Sequence, residues 1–347
     1  MASLWFVLAA GMIAAYVVLD GYDLGAGIVH LFVARDRRER TLVLRTITPF
    51  WDGNEVWLIA AGGVLVLAFP RLYATAFSGF YLPLMLVLWL LLGRALSIEL
   101  RHQLHHPMWE ALHDRVFALT SALLVLAFGV ALGNVVRGVP IDADGRFFLP
   151  LWGDGERLGV LDGYTVLVGV AALAAVAMHG ATWVAFRVEG DVQARARRFA
   201  RRAAWAVVAT SVAVTAATLV VQPHVAARLA AQPWLLAGAA FAVAGLVGVH
   251  VFLRRGQDGR AFLASAAHLA GMLASAAAGL YPYVLPATTG DARALTVANA
   301  SSGDVAMRTA LLWWVPGIAL AIAYQVFAYR HLRGKLRADD PDVHATY

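Results

Sequence analysis

The sequence predicts an all-α integral membrane protein with nine transmembrane helices, arranged as two four-helix bundles plus one additional helix. Hydrophobic residues make up 61% of the 347 residues and charged residues only 14%, and the mean hydropathy is +0.68. Soluble domains are about 45–50% apolar and about 25% charged. The chain therefore has too little polar surface for a water-facing globule, and we treat residues 1–347 as a single membrane domain.

Nine apolar segments each approach or exceed the roughly 20 residues that a helix needs to cross a bilayer. The first is too long for a cleaved signal peptide, lacks a basic leader and carries two acids. We expect a tight hairpin at Pro70-Arg71 between the second and third spans, a first half over 1–138, a second half over 160–283 and a ninth helix over 308–330. The predicted spans are 3–33, 52–69, 72–98, 115–136, 163–187, 203–222, 233–253, 262–283 and 308–330.

The basic residues predict how the chain is oriented. Alternate connections, together with the C-terminal tail, hold 21 of the 28 Lys and Arg residues, and such residues accumulate on the cytoplasmic side. We therefore expect the N-terminus outside and the C-terminus inside a bacterial cytoplasmic membrane. Because the basic residues are dispersed between apolar segments, they indicate topology rather than nucleic-acid binding. The absence of cysteine excludes disulfides, thiolate catalysis, iron–sulfur ligation and covalent haem attachment.

Two acids interrupt the first span. Asp20 and Asp23 are three residues apart, which places both carboxylates on one helix face, and intramembrane acids usually serve function. Gly21, Gly25 and Gly27 would let another backbone approach closely. The alternative interpretation is a glycine packing seam in which the acids pair with a neighbouring arginine.

Polar and aromatic residues are densest at the inner start of the second span, where Trp51, Asp52, Asn54, Glu55 and Trp57 lie. One interpretation is structural, with Asp52 as a helix N-cap and Glu55 completing a capping-box-like pattern. The other is a helix mouth that admits protons or the polar head of an amphipathic ligand. The first interpretation leaves the two tryptophans and Asn54 unexplained.

The third span ends in Arg94, Glu99 and Arg101, for which interfacial snorkelling is the structural alternative. The following histidines have no carboxylate or cysteine at ligand spacing, so we predict no metal site there. Haem ligation by a pair of histidines on facing helices is also considered, although a single histidine on an apolar face is usually a hydrogen-bonded core residue. The intramembrane histidines are His30, His179, His250 and His268.

Two motifs stand out along the chain: Leu19-Asp20-Gly21-Tyr22-Asp23-Leu24-Gly25 and Trp51-Asp52-Gly53-Asn54-Glu55-Val56-Trp57-Leu58. At these motifs the chain resembles subunit II of the bd-type quinol oxidases, and the second motif is the more specific. The resemblance continues in family order through the segments 76–81, 133–140, 179–183, 281–286 and 295–302.

The resemblance implies a proton-translocating quinol:oxygen oxidoreductase complex in which this chain carries no redox centre. Haems b and d belong to subunit I, which this chain stabilises, and some members hold a structural quinone in subunit II. Further expected partners are quinol, the lipid membrane and small single-helix subunits, but no nucleic acid. The rival classes are a secondary transporter and a b-type cytochrome; the single glycine cluster at 21–27, without a counterpart in the second half, disfavours a transporter.

The resemblance also implies roles for particular residues. Trp57 matches an aromatic residue beside an oxygen route, and Phe50 and Glu55 stand where some relatives carry histidine and glutamine. Trp51, Asn54 and Glu55 are expected to support the helix mouth or to contact a quinone. The expected proton route comprises Asp52, Asp20, Asp23, Arg94 and Glu99.

Overall fold

The computed structural model describes residues 1–154, 157–332 and 334–337, so Arg333, which contributes to the basic-residue count, lies outside the described residues. The described residues are mostly helical, as the composition predicts. The helices are α1 (Ala2–Val33), α2 (Arg37–Arg45), α3 (Trp51–Ala68), α4 (Pro70–Gly79), α5 (Tyr81–Leu100), α6 (Pro107–Arg137), α7 (Gly163–Arg187), α8 (Asp191–Val221), α9 (Pro223–Ala231), α10 (Ala237–Arg254), α11 (Asp258–Leu280) and α12 (Asp304–His331).

Among the described residues, eight helices are long and apolar enough to cross a membrane: α1, α5, α6, α7, α8, α10 with the 3-10 turn Pro233–Leu236, α11 and α12. A ninth span is formed if α3 and α4, which are bent by 119° at Phe69, are counted together. The prediction of an all-α, multi-pass membrane protein is therefore confirmed.

The predicted third span begins too early, and the two-residue hairpin predicted before it is wrong. The segment 72–98 is divided between α4 and α5, which meet at Phe80, and α3 leads into α4 rather than into a two-residue turn. Pro70 has no N–H to continue the hydrogen-bond ladder of α3, so it occupies the first position of a new helix. At the other end of α4, Gly79 is in contact with the Phe147 ring, which leaves no room for a side chain.

Several helices extend beyond their predicted spans. α6 begins at Pro107 and α8 at Asp191, because the helical backbone continues past the apolar segment into charged turns. Conversely, α11 ends at Leu280, before Pro282. The chain then forms a two-stranded antiparallel sheet, with β1 (Tyr283–Leu285) paired to β2 (Leu295–Thr296).

Helix α1 is the central element and packs against α3, α6, α7 and α11. It approaches α7 most closely where Gly25 meets Gly180: a Cβ on Gly25 would lie 2.7 Å from Gly180 Cα. Gly27 instead lies against the side chains of Ser121 and Phe117 of α6, and Gly21 has only ordinary contact with the His179 side chain. Close approach of another backbone is thus confirmed at Gly25 and not at Gly21 or Gly27.

We expect the start of α7 to be sensitive to Asp162. The Asp162 side chain accepts a hydrogen bond from Thr165 N at 2.8 Å, and Thr165 Oγ1 accepts one from the backbone N–H of Asp162, so the two residues form a capping box. Asp162 also forms an ion pair with Arg137. Asp162→Ala should cost about 1–2 kcal/mol, measured as a lower thermal unfolding midpoint of the purified protein. Asp162→Asn keeps a competent cap and removes the charge, so it should lose less. Equal losses in the two variants would show that the ion pair, not the cap, stabilises this end.

Candidate functional site

A buried ion pair joins α1 to α5. Arg94 Nη1 donates to Asp20 Oδ2 at 3.0 Å and Arg94 Nη2 donates to Asp20 Oδ1 at 2.5 Å, a two-pronged arrangement that suits a guanidinium and a carboxylate. Both residues have no exposed surface. The guanidinium also lies over the Trp51 ring, 5.9 Å from its centroid. Arg94 is therefore the neighbouring arginine that the alternative interpretation predicted for these acids. Among the described residues it forms an ion pair with Asp20 and not with Asp23.

Asp23 lies one turn further along α1 and points to a different helix. Asn54 Nδ2 of α3 donates to Asp23 Oδ2 at 2.7 Å, and Asn54 is fully buried. The second oxygen, Asp23 Oδ1, is buried and has no hydrogen-bond partner within the described residues. Asp23 therefore has one anchored oxygen and one that is open to another donor.

A hydrogen-bonded chain extends from Asn54 to α12. Asn54 Nδ2 lies 2.6 Å from the Tyr22 hydroxyl, which is hydrogen-bonded to the Tyr329 hydroxyl, and Gln325 Nε2 donates to Asn54 Oδ1 at 2.6 Å. Trp183 is stacked on Tyr22 with ring centroids 4.1 Å apart. Asn54 thus connects α1, α3 and α12 through side chains alone.

Four site residues were not predicted from the sequence: Tyr22, Tyr329, Gln325 and Trp183. The available signal was weak: Gln325 and Tyr329 are four residues apart, so they share one face of an otherwise apolar helix. Only the packing of α12 against α3 turns that face toward Asn54.

The charges in this region do not balance. Two carboxylates, Asp20 and Asp23, and one guanidinium, Arg94, are fully buried. Half-buried Glu55 adds a further acid within electrostatic reach of Arg94, Asp20 and Asp52. A carboxyl group that lacks a cation is costly to bury in ionised form, so such a site favours proton binding and release.

Asp52 is not a helix N-cap. Helix α3 begins at Trp51, Phe50 occupies the cap position, and no side chain there makes a capping hydrogen bond. Asp52 is instead the second residue of the helix, and its side chain is exposed on this chain. The capping-box interpretation of Asp52 and Glu55 is therefore wrong, and the role left to Asp52 in the helix is a favourable interaction with the helix dipole.

Two residues of the expected set lie apart from this cluster. Glu99 is exposed near the end of α5, five residues beyond Arg94 and therefore on another helix face. Trp57 of α3 lies on the wall of an open groove of about 480 Å³ between α1, α3, α11 and α12. The groove is lined by Gly11, Ala14, Ala15, Val18, Leu19, Trp57, Ala270, Ile322, Gln325 and Val326.

The four intramembrane histidines are tied to neighbouring groups. His179 is hydrogen-bonded through both ring nitrogens, to Val18 O at 2.9 Å and to Ser265 Oγ at 2.7 Å. His30, His250 and His268 each bond a backbone carbonyl through Nδ1. No group of three or more His, Cys, Asp or Glu side chains that could hold a metal ion is found within the described ranges.

Comparison with known proteins gives one consistent family. The model of the family described as cytochrome bd terminal oxidase subunit II matches residues 1–332. Cytochrome bd ubiquinol oxidase subunit 2 of Bacillus subtilis (strain 168) is 32% identical over 338 residues, covering 97% of each chain. Cytochrome bd-I ubiquinol oxidase subunit 2 of Escherichia coli (strain K12) is 29% identical over 377 residues, covering 99% of this chain and 98% of the relative.

The fold also matches a solved structure. A chain from the bd oxidase of Geobacillus thermodenitrificans superposes with a TM-score of 0.76 and covers 95% of this chain and 97% of its own length. The sequence identity is 18%, so this likeness concerns the fold alone.

Proposed function

Since the chain belongs to the family of cytochrome bd terminal oxidase subunit II, we propose that it is the haem-free subunit of its complex, stabilising subunit I and lining proton and oxygen routes to it. The complex is a quinol oxidase, an oxidoreductase, and this chain is a multi-pass membrane subunit of it. The observation that carries the proposal is the buried cluster of Asp20, Asp23, Asn54 and Arg94, which contains one more acid than base.

In this proposal the N-terminus lies outside and the C-terminus inside the bacterial cytoplasmic membrane. Residues 1–138 and 160–283 form two four-helix halves, and 308–330 is the ninth span. The excess of basic residues in alternate connections supports this orientation. Haems b and d reside in subunit I, and a structural quinone and small single-helix subunits complete the assembly.

The proton route starts at the inner end of α3. Asp52 is exposed there and takes protons from the cytoplasm, and Glu55 lies between it and the buried cluster. The Asp20–Arg94 ion pair stays intact and provides a constant electrostatic field, because breaking it would leave the guanidinium buried without its partner. Asp23 is the group that exchanges the proton, because its Oδ1 is free. Glu99 serves at the surface of the route, near its entrance.

The apolar groove beside Trp57 is the proposed oxygen route. Oxygen is small and apolar, so a groove lined almost entirely by alanine, leucine, isoleucine and valine side chains would admit it and exclude ions. Trp51, Asn54 and Glu55 support the helix mouth or contact a quinone head group. We place subunit I over α3 and α12, because Asp52 of α3 is exposed and residues of both helices line the groove.

Affinity purification of the tagged chain tests the partnership. We expect a haem-bearing subunit to co-purify, with the optical spectrum of haems b and d in the complex. The same chain expressed without its partner should show no Soret absorbance. A stable chain that binds haem by itself would support a b-type cytochrome, and a stable haem-free chain with no partner would support a transporter.

Asp52→Asn should assemble normally and yet lose most of the oxygen-consumption rate with quinol as donor. The substitution is nearly isosteric and Asp52 makes no capping hydrogen bond, so stability should hardly change. It removes the group that carries the proton, and positioned acid–base groups typically contribute about 100-fold or more to rate. Asp52→Glu should recover part of the rate. Full turnover of Asp52→Asn from about pH 6 to about pH 9 would contradict the proton role.

A further inference from the structure

An arginine-rich surface lies at the N-terminal part of α8 and the C-terminal end of α10, which are the inner ends in the proposed orientation. Three of its arginines are occupied: Arg195 pairs with Glu39, Arg197 pairs with Asp258, and Arg201 Nη2 donates to Leu253 O at 2.8 Å. Exposed arginines remain beside these, and within residues 1–154, 157–332 and 334–337 they make no ion pair or hydrogen bond. They are Arg198, Arg202 and Arg254.

The outward face of α8 changes in character along its length. Arg198, Arg202, Trp205 and Val212 follow the spacing of residues that share one helix face. Trp205 is 62% exposed and Val212 is 66% exposed. From the inner end, this face therefore presents two cations, then an aromatic ring, then apolar surface.

The neighbouring helix α10 repeats the same order in the opposite chain direction. Arg254, His250, Val247 and Val243 share one face, and Val247 and Val243 are 56% and 63% exposed. The contact of Arg201 with Leu253 sets the two cationic ends side by side. One turn deeper, the Trp205 and His250 rings meet edge to face with centroids 4.9 Å apart. The layers on α8 and α10 are thus at equal depth.

We propose that this surface, formed by Arg198, Arg202, Trp205, Val243, Val247, His250 and Arg254, binds an anionic phospholipid of the adjacent leaflet. Guanidinium groups bind phosphate oxygens in pairs of parallel hydrogen bonds, and tryptophan is enriched at the head-group level of bilayers. Basic surfaces of this kind, between helix ends on the cytoplasmic side, are where anionic head groups bind. The valines below supply the contact for an acyl chain.

The charge around the surface selects an anionic lipid over a zwitterionic one. Asp258, which pairs with Arg197 of the same surface, is buried and is also bonded by Gln193. Asp191 is exposed on the same face as Arg198, but it lies two turns further from the apolar layer. A phosphatidylglycerol head group therefore meets uncompensated positive charge, whereas the ammonium of phosphatidylcholine would be repelled.

Native mass spectrometry of the purified oxidase complex tests the proposal by titration with dioleoyl phosphatidylglycerol or dioleoyl phosphatidylcholine. The test variant is Arg198→Gln with Arg202→Gln. The control is Arg38→Gln with Arg115→Gln, which removes two other exposed arginines, from α2 and α6. Since each arginine near a bilayer contributes about fivefold to anionic lipid affinity, the test variant should bind phosphatidylglycerol about thirtyfold more weakly. The control and the binding of phosphatidylcholine should not change.

Two results would overturn the proposal. One is equal loss of phosphatidylglycerol in the test and control variants, which would indicate a diffuse basic surface. The other is no preference of the wild-type complex for phosphatidylglycerol over phosphatidylcholine. Trp205→Ala, which leaves every arginine in place, should also weaken binding of the anionic lipid. An unchanged affinity in this variant would show that the aromatic layer is not part of the binding site.

Discussion

Arg94→Ala is expected to be the most damaging single substitution in the buried cluster, with a loss of about 3–5 kcal/mol in stability. The reason is that Asp20 would remain fully buried after losing both hydrogen bonds from the guanidinium. Asp23 would at the same time lose the nearby positive charge. We expect little assembled complex in the membrane and a lower unfolding midpoint for what remains, measured by haem absorbance during a thermal ramp.

The matched control removes both charges. Arg94→Met combined with Asp20→Leu replaces a buried ion pair by apolar side chains, an exchange that is often neutral or stabilising. This double variant should therefore assemble better than Arg94→Ala alone, although its turnover should stay low if the pair sets the field for proton transfer. If Arg94→Ala assembles as well as wild type, the pair does not hold α1 and α5 together.

Gly180→Ala is expected to separate α1 from α7 and to destabilise the chain by about 1–3 kcal/mol. The added methyl group would meet backbone atoms of Gly25 and Ala26 on α1, and backbone cannot move aside as a flexible side chain can. Any shift of α1 would also stretch the bond from His179 to Val18 O. Thermal unfolding of the purified complex measures the effect.

Gly11→Ala, a substitution in α1 itself, is the control. A Cβ at Gly11 meets no atom of the described residues within 4 Å. Since alanine favours a helix over glycine by about 1 kcal/mol, this change should be neutral or slightly stabilising. A Gly180→Ala variant as stable as Gly11→Ala would mean that the helix crossing is looser than its geometry indicates.

Composition and the apolar segments were sufficient to predict an all-α, multi-pass membrane protein. Apolar segments mark the part of each helix that contacts lipid, so the spans were located well. The same signal cannot show where a helix stops once it leaves the bilayer, which is why α8 begins twelve residues before the predicted span. It also cannot detect the break at Phe80, because no charged residue lies between Leu72 and Gly93 to mark it.

The site was predictable as a set of residues but not as a set of contacts. Spacing alone places Asp20 and Asp23 on one face of α1, yet their directions differ by about 60° around the axis at 3.6 residues per turn. That difference is enough for Asp20 to reach Arg94 and for Asp23 to reach Asn54. The helices that face Asp20 and Asp23 are determined by tertiary packing, because the crossing of α1 with α7 at their glycines sets the position of α1.

Asp23 is proposed to exchange the protons consumed in oxygen reduction, and proton uptake by the Asp23→Asn complex tests this role most directly. The reduced complex would be mixed with oxygen in a stopped-flow instrument, with a pH dye reporting uptake and haem absorbance reporting electron transfer. The exposed Asp304→Asn variant serves as control.

Asparagine at position 23 can still accept from Asn54, so assembly and haem content should match wild type. We predict that proton uptake slows by about 100-fold in Asp23→Asn and is unchanged in Asp304→Asn. Proton uptake at the wild-type rate in a fully haem-loaded Asp23→Asn complex would contradict the account.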